Sequence, residues 1–127
     1  MGESRNKLDR AIELQERAKK FAIDIVCAFA ALPKADEARV IGRQFLRSGT
    51  AVAANYRAAC RARSKPEFIS KMGVVVEEAD ETDFWLELLV DAKVVAAPSV
   101  IALRNECREL LRIFSSSLAT AKVRRDQ

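Results

Sequence analysis

The sequence predicts an all-α fold, an antiparallel up-and-down four-helix bundle, on three observations. Ala, Leu, Glu, Arg and Lys are plentiful, whereas the 127 residues include only four Gly, three Pro and one Tyr, a composition that builds helices and offers little to a sheet. Pro33, Pro66 and Pro98 cut the chain into four nearly equal lengths, and proline opens helices but breaks their interiors. Between the prolines the apolar residues return at alternating steps of three and four, which lines one face of a helix. Four such rods with short connections run up and down beside one another and cross at about 20°. The chain is long enough for one core and too short for two, so a single domain over residues 1–127 is expected, with helices near 6–32, 36–62, 65–95 and 99–122.

The first helix follows from an unbroken seam: Ala11, Leu14, Ala18, Phe21, Ile25, Ala28 and Leu32. The second starts at Asp36, a plausible N-cap, and carries Ile41, Phe45, Ser48, Val52, Asn55, Ala59 and Ala62. Asn55 is its one large polar seam residue. The third opens at Ser64-Lys65-Pro66-Glu67, a capping box with Pro in the first turn, and continues through Phe68, Met72, Val75, Ala79, Thr82, Leu86 and Leu89. The fourth takes Ser99 as its cap and carries Val100, Leu103, Cys107, Leu110, Phe114, Ser117 and Ala121, after which Lys122 to Gln127 read as a frayed basic tail. The competing architecture is a helical repeat with the spacing of the prolines. Its aligned segments share only the proline, so the bundle is preferred.

Several function classes fall away on composition. The longest apolar stretch, Phe21 to Leu32, contains Asp24 and is well short of the roughly 20 residues that cross a bilayer. The opening Met1-Gly2-Glu3-Ser4-Arg5 leads into a polar segment with no apolar signal core, so a cytoplasmic protein without membrane association is expected. Cys27, Cys60 and Cys107 are odd in number and widely spaced, which fits buried free thiols rather than a disulfide framework or a zinc site. With no histidine anywhere, the Glu-x-x-His pairs of di-iron bundles are missing, and a Ser or Cys nucleophile lacks its usual base. Glu78-x-x-Glu81 supplies half of the magnesium site of all-helical nucleotide pyrophosphatases, and Glu106-x-x-Glu109 is a poor second half. No catalytic residue, metal or cofactor is therefore expected.

Charge is distributed unevenly. Residues 34–66 hold eight cations and two acids, residues 67–97 two cations and eight acids, so the second and third helices are expected to be neighbours joined by flanking ion pairs. On a wheel of about 100° per residue, Arg39, Arg43, Arg57 and Arg61 face away from the second seam, out of reach of full pairing. Between them the same face carries Leu46, Thr50, Ala53 and Ala54. That uncharged patch predicts a contact with another copy of the chain, with the arginines as a basic rim. With Lys122, Arg124 and Arg125, these arginines form a candidate nucleic-acid-binding set, because attraction to phosphate needs only clustered cations. A third group, Arg47, Asn55, Glu78, Glu81 and Trp85, lies on or beside the seams with Val74 and Leu88 at the edge. Its polar atoms need partners, and a carboxamide and carboxylates around one guanidinium would fix helix register.

The stretch Gly42 to Leu89 carries a recognisable set of residues. Gln44, Arg47, Asn55, Arg63-Ser64, Glu67-Phe68, Glu78-Ala79-Asp80-Glu81-Thr82 and Trp85-Leu86 resemble the four-helix-bundle proteins of the 23S rRNA intervening-sequence family. The likeness covers the second and third helices closely, the first and last only in length and pattern. The resemblance implies a bundle that assembles as a ring-like homopentamer. A similar group of proteins serves as accessory subunits of diversity-generating retroelements, where a basic pentamer binds nucleic acid and a reverse transcriptase. RNA or DNA, a reverse transcriptase and further copies of the chain are thus the partners that the resemblance implies. The alternatives are a purely protein-binding scaffold and a metal-dependent nucleotide hydrolase. The sequence departs from the family pattern after Asn55, where many members continue Ile-Ala-Glu-Gly and this chain reads Tyr56-Arg57-Ala58-Ala59. The missing acid makes the segment more basic.

Overall fold

A computed structural model describes residues 2–96 and 98–125, with side chains for residues 6–96, 98 and 100–124. Four helices account for almost all of them: α1 (Gly2–Ala30), α2 (Asp36–Cys60), α3 (Lys65–Asp91) and α4 (Pro98–Arg125). Each packs against the next in an antiparallel bundle, and α1 meets α4 to close it, the closing contact being the thinnest of the four. No strand occurs among the described residues.

The four seams converge as their spacing requires. Phe21 and Ile25 from α1, Phe45 and Val52 from α2, Met72 and Leu86 from α3, and Leu110 and Phe114 from α4 are fully buried in one cluster. Burying each such side chain contributes about 1.5–3 kcal/mol. Tyr56 joins them, its ring 5.0 Å from that of Phe114, and its hydroxyl is pushed up from the usual tyrosine range, first by burial and then by a hydrogen bond with Cys60.

Two glycines let α1 lie close on α2. A Cβ at Gly49 would stand 2.7 Å from Cγ1 of the fully buried Ile25, and one at Gly42 would stand 2.5 Å from the Leu32 methyl. Between α2 and α3 the seam holds a polar pair instead, Ser48 and Thr82, whose hydroxyls hydrogen-bond at 2.7 Å with both residues fully buried. The Thr82 hydroxyl also lies 2.7 Å from the Glu78 carbonyl one turn back.

The helix ends both follow and correct the sequence reading. Ser64 caps α3 by accepting from the Glu67 N–H at 3.2 Å, while the Glu67 carboxylate accepts from the Arg63 N–H at 3.4 Å, one residue before the cap. Asp36 is not the cap of α2. It is the first helical residue after Ala35, where its charge faces the helix dipole without a capping hydrogen bond. The fourth helix begins at Pro98, so Ser99 is inside it. Proline needs no partner for a missing N–H in the first turn and starts the helix itself. The side chain of Ser99 lies outside the described residues. Lys122, Val123, Arg124 and Arg125 continue α4 rather than fray. The α3–α4 turn closes through Lys93 in the left-handed region (φ 56), with Lys93 N–H on the Val90 carbonyl and Val94 N–H on that of Leu89, the bond pattern of a Schellman ending.

The cysteines divide. Cys107 is buried and donates to the Ala79 carbonyl at 3.3 Å. Cys60 is half-buried, and Cys27 is exposed, contrary to the expectation of three buried thiols. Cys27 borders a groove of about 360 Å³ between α1 and α4, which the thin closing contact leaves open.

Candidate functional site

Charge pairing between helices comes first, because it decides which charged groups remain free. Arg47 on α2 reaches two carboxylates of α3, Glu81 at 2.8 Å and Glu78 at 3.3 Å. The hydrogen bond and charge of Glu81, reinforced by Glu78, raise the pKa of the guanidinium. This is the expected α2–α3 ion pairing, at the residues the sequence nominates. Asn55 does not join it. Its carboxamide donates to the Ala51 carbonyl of its own helix at 2.8 Å, because a short amide within a helix finds the backbone one turn back before it finds a carboxylate. Trp85 packs at the edge of the core beside Phe84, with ring centroids 5.1 Å apart, and its indole N–H is buried without a hydrogen-bond partner among the described residues. The group that sequence reading treats as one network is therefore an Arg47–Glu78–Glu81 triad, with Asn55 and Trp85 outside it.

Two further clamps are not legible from the segment charges. Arg104 of α4 bridges Asp83 (3.1 Å) and Glu87 (2.8 Å) of α3, with Arg108 also 3.4 Å from Asp83. Arg17 of α1 grips Glu106 of α4 with both arms of its guanidinium, at 2.8 and 2.6 Å. These pairs hold the α3–α4 and α1–α4 contacts. Glu106 and Glu78, the leading carboxylates of the two Glu-x-x-Glu pairs, are thus each committed to an arginine.

With these pairs made, Arg39, Arg43, Arg57 and Arg61 stay exposed, and none makes a salt bridge among the described residues. They do not form one cluster. The antiparallel order puts Arg57 and Arg61, at the end of α2, on the same end of the bundle as Lys122 and Arg124 at the end of α4. Arg63 and Lys65, which sequence reading does not single out, sit in the turn and first residue of α3 at that end. Arg39 and Arg43 lie toward the other end, about 21–33 Å away at 1.5 Å per residue, beside Lys34 in a hollow floored by Phe29 and Leu32. The side chain of Arg125 is outside the described residues.

The uncharged patch of α2 continues onto α1. Ala53 and Ala54, with Arg57 and Arg61, line a groove of about 480 Å³ whose other wall is Ile12, Gln15, Glu16 and Lys19. Leu46 and Thr50 are half-buried further along α2. Ile23 and Val26 are exposed on α1, about half of each side chain facing solvent. Reading α1 for its seam alone misses this half of the surface. The signal for it is the recurrence of Ile12, Lys19 and Val26 at steps of seven.

Residues 10–116 match the family described as the 23S rRNA-intervening sequence protein. The chain belongs to that family. The match spans all four helices, including α1 and α4, where the resemblance by residue is weakest. The fold agrees with a solved relative: a protein of unknown function from the S23 ribosomal protein family of Bacteroides thetaiotaomicron is 31% identical and superimposes with a TM-score of 0.76, covering 83% of this chain and 97% of that one. No curated protein matches the chain.

Proposed function

We propose that this member of the family is a non-enzymatic, self-associating bundle that acts in the cytoplasm as a nucleic-acid-associated accessory or scaffold. The observation that carries the reading is the charge left over on α2. Glu78, Glu81, Asp83, Glu87 and Glu106 are each held by an arginine of a neighbouring helix, whereas Arg57 and Arg61 share a bundle end with Arg63, Lys65, Lys122 and Arg124 and make no salt bridge among the described residues. Uncommitted cations at one end of a rigid rod suit a phosphate backbone, which needs positive charge at fixed spacing and no base-reading element. The resemblance to accessory subunits of retroelements, in which a basic pentamer holds nucleic acid and a reverse transcriptase, supports the same reading. It makes a pentamer and a reverse transcriptase the assembly and partner to test first.

Fluorescence anisotropy with labelled RNA and DNA over a salt series tests it. Affinity falls steeply as salt rises. In an Arg61→Ala/Arg124→Ala chain the slope of log K against log salt shrinks by about one for each phosphate no longer neutralised. Binding that ignores salt, or no binding at low salt, removes nucleic acid from the reading. The exposed Ile12, Ile23 and Val26 beside the α2 patch favour a second reading, a protein-binding scaffold, which then stands alone.

A further inference from the structure

The outer face of α3 carries an exposed aromatic ring, in edge contact with Trp85, between two acids that make no salt bridge among the described residues. Phe84 is 53% exposed, although it is the largest apolar side chain on that face. One heptad before it stands Glu77 and one heptad after it Asp91, both exposed and both without a salt bridge among the described residues. Phe84 thus sits at the centre of an acid–aromatic–acid stripe, with its acids 14 residues apart, about 21 Å along the axis.

The outer face of α2 carries the complementary stripe. Arg43 and Arg57 are also 14 residues apart and make no salt bridge among the described residues, and Thr50 lies midway with Leu46, Ala53 and Ala54 around it. The two stripes have equal length and opposite charge, and an aromatic knob on one matches a shallow patch of small side chains on the other. Each is symmetric about its middle, so the charges meet whether the helices run parallel or antiparallel.

We propose that α3 of one copy docks along α2 of the next, with Phe84 seated over Thr50 among Leu46, Ala53 and Ala54, and with Glu77 and Asp91 opposite Arg43 and Arg57. The inference rests on the self-association proposed above and names its partner surface. The two stripes lie on different helices of the same chain, so the interface is heterologous: every copy offers a knob to one neighbour and a patch to another, and the assembly closes or grows by repetition. Docking consumes the inner pair of arginines. Arg39 and Arg61, together with the cations at the bundle ends, remain for phosphate.

Light scattering on the full chain at micromolar concentration reads the assembly. Phe84→Ser, the pair Arg43→Glu/Arg57→Glu and the pair Glu77→Arg/Asp91→Arg each raise the dissociation constant more than about tenfold, since like charges then face one another or the knob is gone. The chain carrying all four charge substitutions returns to within a few-fold of wild type. All these side chains are exposed, so the core is untouched, and the rescue by exchange separates a broken interface from a broken fold. If the three weakened variants assemble as tightly as wild type, this docking is overturned while self-association stands. A wild-type mass of one chain overturns both.

Discussion

The thiol of Cys107 shows how burial reaches into solution behaviour. Its pKa is pushed up to about 12 from 9.0, first by burial and then by the nearby charges of Asp83 and Asp80. In the unfolded chain the thiol ionises near its ordinary value, whereas in the folded chain it keeps its proton to much higher pH. Between those values the unfolded state therefore binds fewer protons than the native one, and stability falls as pH rises. Tyr56, raised chiefly by burial, acts in the same direction. The denaturant midpoint is expected to drop progressively as pH rises above 9.0, and that of Cys107→Ala to drop less steeply; parallel curves for the two proteins would contradict the assignment. At this scale the sequence is informative about position and poor about partners. It places Cys107 and Asn55 on seams, where they are buried and half-buried. It does not show that Asn55 turns to the Ala51 carbonyl, because a side chain's choice between its own backbone and a neighbouring helix depends on distances that spacing alone does not contain.

Helix against helix, the glycines give the sharpest test. Ala at Gly49 gains about 1 kcal/mol of helix propensity but brings its methyl within 3.0 Å of three Ile25 carbons that have nowhere to move. Overpacking of that kind costs about 1–3 kcal/mol, so Gly49→Ala is expected to destabilise by about 1 kcal/mol. At Gly73 a methyl group would meet nothing within 4 Å, and Gly73→Ala is expected to stabilise by about 0.5–1 kcal/mol. Chemical denaturation of the two variants checks the pair, and a stabilised Gly49→Ala would show that α1 does not lie as close on α2 as described. The seams of all four helices are legible in advance because every seam position is buried or half-buried, which is what a period between three and four demands. Helix starts are legible only where the chemistry is unambiguous, as at Ser64. At Asp36 and Ser99 a residue able to cap stands at the first and the second place of its helix, and propensity cannot tell these places from the cap.

Across the whole bundle, the α1–α4 closure is the weak side. It has the thinnest packing, an open groove, and one two-armed clamp, Arg17 on Glu106, whose side chains stay 40% and 33% exposed. An exposed pair of good geometry contributes up to about 1 kcal/mol. Arg17→Ala is thus expected to speed amide exchange in α1 and α4 by up to about fivefold while α2 and α3 keep their protection; uniform acceleration would mean that the bundle opens only as a unit. The overall architecture is plain from three prolines and four seams, yet the distribution of cations between the two ends is not, since it depends on which termini the antiparallel order brings together. Ser48 and Thr82 set the relation between the α1–α2 half and the α3–α4 half. Were one half to slide a turn past the other, the Thr82 hydroxyl would keep the Glu78 carbonyl of its own helix, whereas the buried Ser48 hydroxyl would lose its partner, at about 1–3 kcal/mol. Two small alcohols therefore act as a latch that admits a single vertical offset, and through it they hold the outer stripes of α2 and α3 at a constant relative height in every copy.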